Sequence, residues 1–155
     1  MMIDQSHSMF EERNGTPPSD PKGYRFAAVR EVLRRLIQNR QEECTDAVHR
    51  FGLIAFGSQA EVALSLIEID LQVESADQEN VGQWVKPYLD SVDKLANDAN
   101  KGYQEGTDPR KAFEAANELF TTAAAMQEPQ GYGERRKVII LLTDGNPDGV
   151  GEVPA

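Results

Sequence analysis

Apolar and polar positions along the chain follow two periods, and the switches between them mark its elements. Met1–Ile3 is a short apolar stub that reads as the end of a strand. Phe26, Val29, Leu33, Leu36 and Ile37 recur at helical spacing, with Arg30, Glu31, Arg34 and Arg35 between them, which predicts an amphipathic helix. Phe51–Phe56, FGLIAF, is a near-continuous apolar run, as in a strand covered on both faces. Gly57–Gln59 has turn chemistry, and Val62, Leu64 and Leu66 then alternate with Ala63 and Ser65, predicting a hairpin partner at a sheet edge. Val81, Val85, Leu89, Val92 and Leu95 form a second helical face, in which Pro87 is expected to kink the helix or split it in two. Ala112, Phe113, Ala116, Leu119, Phe120 and Ala123 form a third, beginning after GTDP, where Thr107 or Asp108 can cap and Pro109 can take the first helical position. Lys137–Leu142, KVIILL, reads as a buried strand that stops at TDG.

The predicted order is strand, helix, strand, strand, helix, helix, strand. Apolar strands alternating with helices predict an α/β fold: a Rossmann-like, mostly parallel sheet with one antiparallel hairpin edge strand and helices on both faces. Nothing after Lys137–Leu142 offers to cover its outer edge, since the tail NPDGVGEVPA is loop-like. An exposed apolar edge is a liability. The expectation is therefore a single domain over residues 1–155 that is incomplete on the C-terminal side of its sheet, or one that takes a further strand from a partner.

Composition narrows the function classes. The 155 residues suffice for one domain with a core. Sixteen basic against 26 acidic residues leave a net charge of −10, which argues against non-specific binding to nucleic acid or anionic membrane and suits a protein that attracts cations. Cys44 is the single cysteine, so neither an intrachain disulfide nor a paired-cysteine zinc site is available. That tilts the reading toward a reducing, cytoplasmic setting. No apolar run approaches the roughly 18 residues of a membrane span, and the N-terminus lacks the basic and apolar regions of a signal peptide.

The chemistry gathers at strand ends. In an open parallel sheet, ligands bind beyond the carboxyl ends of the strands. Asp4, Ser6 and Ser8 follow the first strand, Asp144 follows the last, and Thr107 lies in a loop leading into a helix. The breaker-rich stretch Phe10–Gly23 leaves from the same place and is long enough to be functional or mobile. Two carboxylates and three hydroxyls suit a hard cation such as Mg²⁺, which prefers oxygen ligands and keeps several waters. Hydroxyl-rich small sites lean to Mg²⁺ or Mn²⁺ over Ca²⁺.

DQSHSM at Asp4–Met9 resembles the DxSxS motif of von Willebrand factor type A domains, and GTD (Gly106–Asp108) and TDG (Thr143–Gly145) resemble that family's second and third metal-site segments. YRFAAVREVLRRLI is similar to its first helix and RFGLIAFGSQAEV to its hairpin strands, so the resemblance runs in register over nearly the whole chain. It implies a metal-ion-dependent adhesion site with Asp4, Ser6, Ser8, Thr107 and Asp144 as ligands. An acidic residue of a partner protein would complete the shell, and further segments of a longer parent chain are possible partners too. The resemblance also implies strands and helices beyond the last motif. His7 departs from the pattern, standing where the family usually has glycine, and is expected to strain the loop slightly or to reach the metal face.

Plainer readings stand beside these. Asp4, Ser6 and Ser8 could be a polar strand terminus, Thr107 a helix cap and Asp144 a turn residue. Trp84 and Tyr88, four apart, read as helix packing. Among enzymes, a hydrolytic triad fails because Ser6 and His7 are sequence neighbours whose side chains point apart. There is no GxSxG elbow and no GxxxxGK[ST] loop. A Mg²⁺-dependent phosphatase or phosphotransferase of similar fold remains as an alternative, weakened because Ser6 stands where a second aspartate would be needed. The other alternative is a metal-independent scaffold domain in a larger assembly.

Overall fold

The structure, a computed structural model, describes residues 1–12, 14–42, 49–68, 78–97, 106–125 and 137–144. Its elements in chain order are β1 (Met2–Asp4), a single 3₁₀ turn (His7–Met9), α1 (Tyr24–Glu42), β2 (Arg50–Phe56), β3 (Ala60–Glu68), α2 (Gln78–Asn97), α3 (Pro109–Ala125) and β4 (Leu141–Leu142). The strands form one sheet in the order β3-β2-β1-β4. β1 runs parallel to both β2 and β4, and β3 is antiparallel to β2. This is the expected mostly parallel sheet with one hairpin, and Cys44 and the tail NPDGVGEVPA lie outside the described residues.

The sheet is covered on both faces because β2 is apolar at every position from Phe51 to Phe56 and its side chains alternate. Ile3, Phe51, Leu53 and Ala55 pack with Phe26, Val29, Leu33 and Ile37 of α1 and with Tyr88, Val92 and Leu95 of α2. Met2, Ile54 and Phe56 face the other way, against Ala112 and Ala116 of α3. The two alanines let α3 lie close to the sheet, and Phe113, one position on, turns away and is 46% exposed. It does not join the core face that the helical period assigns to it.

Three further expectations change. α2 is one helix and runs unbroken through Pro87. A proline removes one backbone hydrogen bond, and burial of Tyr88, Val92 and Leu95 just beyond it holds the turns together. β4 is a two-residue strand and not a buried run from Lys137 to Leu142. It pairs only with β1 among the described residues, which leaves Val138 68% exposed. In β3 the strict alternation fails: register shifts around Leu53 bring both Ala63 and Leu64 against the core and leave Val62 exposed. The irregularity lies beside Gly52, where a Cβ would stand 3.2 Å from the Leu64 carbonyl oxygen, so a larger residue there would push the strands apart by a few tenths of an ångström.

Candidate functional site

β1, β2 and β4 are parallel, so their carboxyl ends lie at one edge of the sheet, and the polar segments found in the sequence collect there. β1 ends at Asp4, whose side chain is fully buried. Its Oδ1 accepts the Ser6 amide at 2.9 Å, turning the chain back on itself after the strand. The Gln5 amide still bonds the Phe56 carbonyl at 2.7 Å, extending the pairing with β2 by one residue. The 3₁₀ turn then brings the Ser6 and Ser8 hydroxyls to 3.1 Å from each other.

His7 sits in that turn with its ring edge-on to Phe10, centroids 5.7 Å apart. Among the described non-glycine residues only Asn14 has a positive φ, so no glycine conformation is demanded at His7 and the expected loop strain does not arise.

Thr107 is buried one loop away. Gly106 precedes it at φ 107°, a backbone conformation that glycine alone adopts readily. The following Asp108 amide bonds the Gly57 carbonyl at 2.8 Å, which ties this loop to the end of β2. Asp108, and not Thr107, caps α3: its Oδ1 accepts the Arg110 amide at 3.1 Å, with Pro109 as the first helical residue. The Arg110 guanidinium bonded to it holds the Asp108 carboxyl below the usual range. Among the described residues no hydrogen bond links Thr107 to the other four predicted ligands.

Asp144 follows β4, and two hydroxyls that sequence reasoning passed over connect its segment to the site. Thr143 donates to Asp4 Oδ2 at 2.6 Å, and Ser19 donates to Asp144 Oδ2 at 3.0 Å. The signal for Thr143 was present in TDG, whose threonine stands beside the aspartate. Nothing local marks Ser19, which is 125 residues from its partner.

The stretch Phe10–Gly23 returns to the site. The Ser19 and Asp20 amides bond the Ser8 and Met9 carbonyls at 2.8 and 2.9 Å. Asp20 then accepts the Tyr24 and Arg25 amides at 2.6 and 3.0 Å, serving as the cap of α1. Burial alone would raise the Asp20 pKa, but those two amides and the Arg25 guanidinium at 2.8 Å outweigh it and hold the carboxyl below its usual range.

The donor set can be tested against a cation. Asp4 is buried, and among the described residues no lysine or arginine pairs with it. A buried carboxylate without a cationic partner is costly, and buried charges are ordinarily paired or bind metal. Among the described residues Asp4 has two hydrogen-bond donors, where an ionised carboxylate offers about four lone-pair sites. No three His, Cys, Asp or Glu side chains gather as a metal cluster among the described residues, so the oxygen set here is hydroxyl-rich. It fits a hard cation that retains water.

The sequence model of the von Willebrand factor type A domain matches residues 1–146, which is nearly the whole chain. The chain belongs to the von Willebrand factor type A family. Domains of this family commonly mediate protein–protein interaction. No curated protein and no solved structure gives a significant match to this VWA domain. No helix among its described residues is long and apolar enough to cross a membrane.

Proposed function

We propose that this VWA domain is a divalent-cation-dependent protein-binding module and not an enzyme. Asp4, Ser6, Ser8, Thr107 and Asp144 would hold Mg²⁺, or Mn²⁺ or Ca²⁺ in its place, as a metal-ion-dependent adhesion site. The ion would supply an open coordination position for an Asp or Glu carboxylate of a partner protein. The observation that carries the reading is Asp4: a fully buried carboxylate with no cationic partner among the described residues, bonded by the Ser6 amide on one side and the Thr143 hydroxyl on the other. With only two carboxylates in the set, a bound dication is neutralised and not overcompensated. It can therefore still attract an anionic side chain. The overall charge of −10 favours cation capture, while an acidic partner must be drawn by the ion itself.

Calorimetric titration of Mg²⁺ or Mn²⁺ tests the reading. Wild type is expected to show saturable heat and Asp4→Ala none. Equal heats in the two proteins would refute it.

A further inference from the structure

Behind the candidate ligands lies a buried polar relay that the proposed cation site does not itself use. Gln5, between Asp4 and Ser6 in the chain, is almost wholly buried, and both ends of its amide are engaged. Its Nε2 donates to the Leu95 carbonyl near the end of α2 at 3.1 Å, and its Oε1 accepts Arg25 from α1 at 2.9 Å. The other arm of the Arg25 guanidinium reaches Asp20 at 2.8 Å, with side-chain exposures of 4% and 9%, so this ion pair is shielded from solvent. The guanidinium also lies over the Phe26 ring, 4.5 Å from its centroid, which fixes its plane. Asp20 in turn holds the segment whose amides bond Ser8 and Met9 and whose Ser19 hydroxyl bonds Asp144.

The bonds close a ring. Gln5 anchors the loop where Asp4 passes to Ser6, and Ser19–Asp20 anchors it again at Ser8–Met9. Arg25 spans the two anchors from within the core. A planar fork serves this purpose because it offers two donors in fixed relative positions, and an ammonium does not.

We infer that Arg25 is a positioning residue for the cation site, acting through Gln5 and Asp20 to fix the backbone that presents Ser6 and Ser8. The inference rests on the cation-binding reading above. Partners of this kind, which orient ligands without touching the ion, change metal affinity by about 10- to 100-fold when removed. Because α1 and α2 each contribute one bond to Gln5, the packing of the two helices is linked to the shape of the loop.

The experiment is calorimetric titration of Mn²⁺ into the wild-type chain, Arg25→Lys, Gln5→Met and the double variant, with urea unfolding in EDTA as a separate measure of stability. Lysine can reach Asp20 or Gln5 but not both in the fork geometry, and methionine keeps the volume of Gln5 without its polar ends. If Arg25→Lys does not fold, Gln5→Met decides. Each single variant is expected to bind Mn²⁺ about 10- to 100-fold more weakly when fully folded, and the double variant no more weakly than the worse single one. Folded variants that lose stability in EDTA yet bind Mn²⁺ like wild type would overturn the positioning role, as would losses that simply add. Absence of Mn²⁺ binding by the wild type would overturn the cation-binding reading, and this inference with it.

Discussion

Asp4 ends β1 and Asp20 stands at the far end of the connection from β1 to α1; both are buried aspartates, and their surroundings treat them differently. Asp20 is ion-paired to Arg25 and accepts two backbone amides, whereas among the described residues Asp4 receives one amide and one hydroxyl and no cation. Asp20 therefore serves structure. Its pKa is lower folded than unfolded, so its stabilisation is complete above the unfolded carboxyl value of about 4 and fades as pH falls below that toward the folded value. Urea unfolding followed from pH 6 downward is expected to show a decline that is shallower in Asp20→Asn, and identical slopes would contradict this. Thr143→Val removes one of the two donors on Asp4 and is expected to cost about 1.5–3 kcal/mol, measured by urea unfolding in EDTA. Ser19 could not be chosen from the sequence, because a hydroxyl carries no local mark of a partner 125 residues away, whereas Thr143 stands beside Asp144 in the motif TDG.

At the level of elements, helices and strands were legible where one face meets one core. The helical period places Phe26, Val29, Leu33 and Ile37 on the buried side of α1, and they are buried. The same rule misplaced Phe113, because the contact of α3 runs through Ala112 and Ala116 and a small-residue seam carries little hydrophobic signal. Ala116→Leu is expected to overpack that seam and lower stability by about 1–3 kcal/mol, while Phe113→Ala stays within about 0.5 kcal/mol of wild type, both by denaturant unfolding. Local sterics disfavour proline inside a helix and predict a kink or a split at Pro87; the split does not occur, because the core contacts of Tyr88, Val92 and Leu95 hold α2 together across it. Pro87→Ala restores a backbone donor and is expected to raise the urea midpoint. An unchanged or lower midpoint would show that α2 has already accommodated the proline.

For the whole molecule, the proposed site joins loops that the sheet alone brings together, so a cation bound there binds the folded chain and not the unfolded one. Ligand held at about 100 times its dissociation constant stabilises by about 2.7 kcal/mol. In a chain of this size that corresponds to a rise in Tm of roughly 5–11 °C. Thermal melts with Mg²⁺ and with EDTA are expected to differ by such an amount in wild type and to coincide in Asp4→Ala. Coinciding melts in wild type at saturating Mg²⁺ would count against the proposed site.

The order of elements, the mostly parallel sheet with its hairpin, the strand ends that bear Asp4, Ser6, Ser8 and Asp144, and the loop that brings Thr107 into α3 were determined by the sequence by itself. Periodicity, turn residues and caps act over a few residues, and so they can be read without the fold. The tertiary structure alone decided how those strand ends are held. Gln5 lies 20 residues from Arg25 and 90 from Leu95 in the chain, and only the packing of α1 and α2 on one face of the sheet makes them neighbours. Burial then turns that proximity into a constraint, because unpaired polar groups in the core are costly: both ends of the Gln5 amide and both terminal nitrogens of Arg25 are paired, while Arg25 Nε has no partner among the described residues.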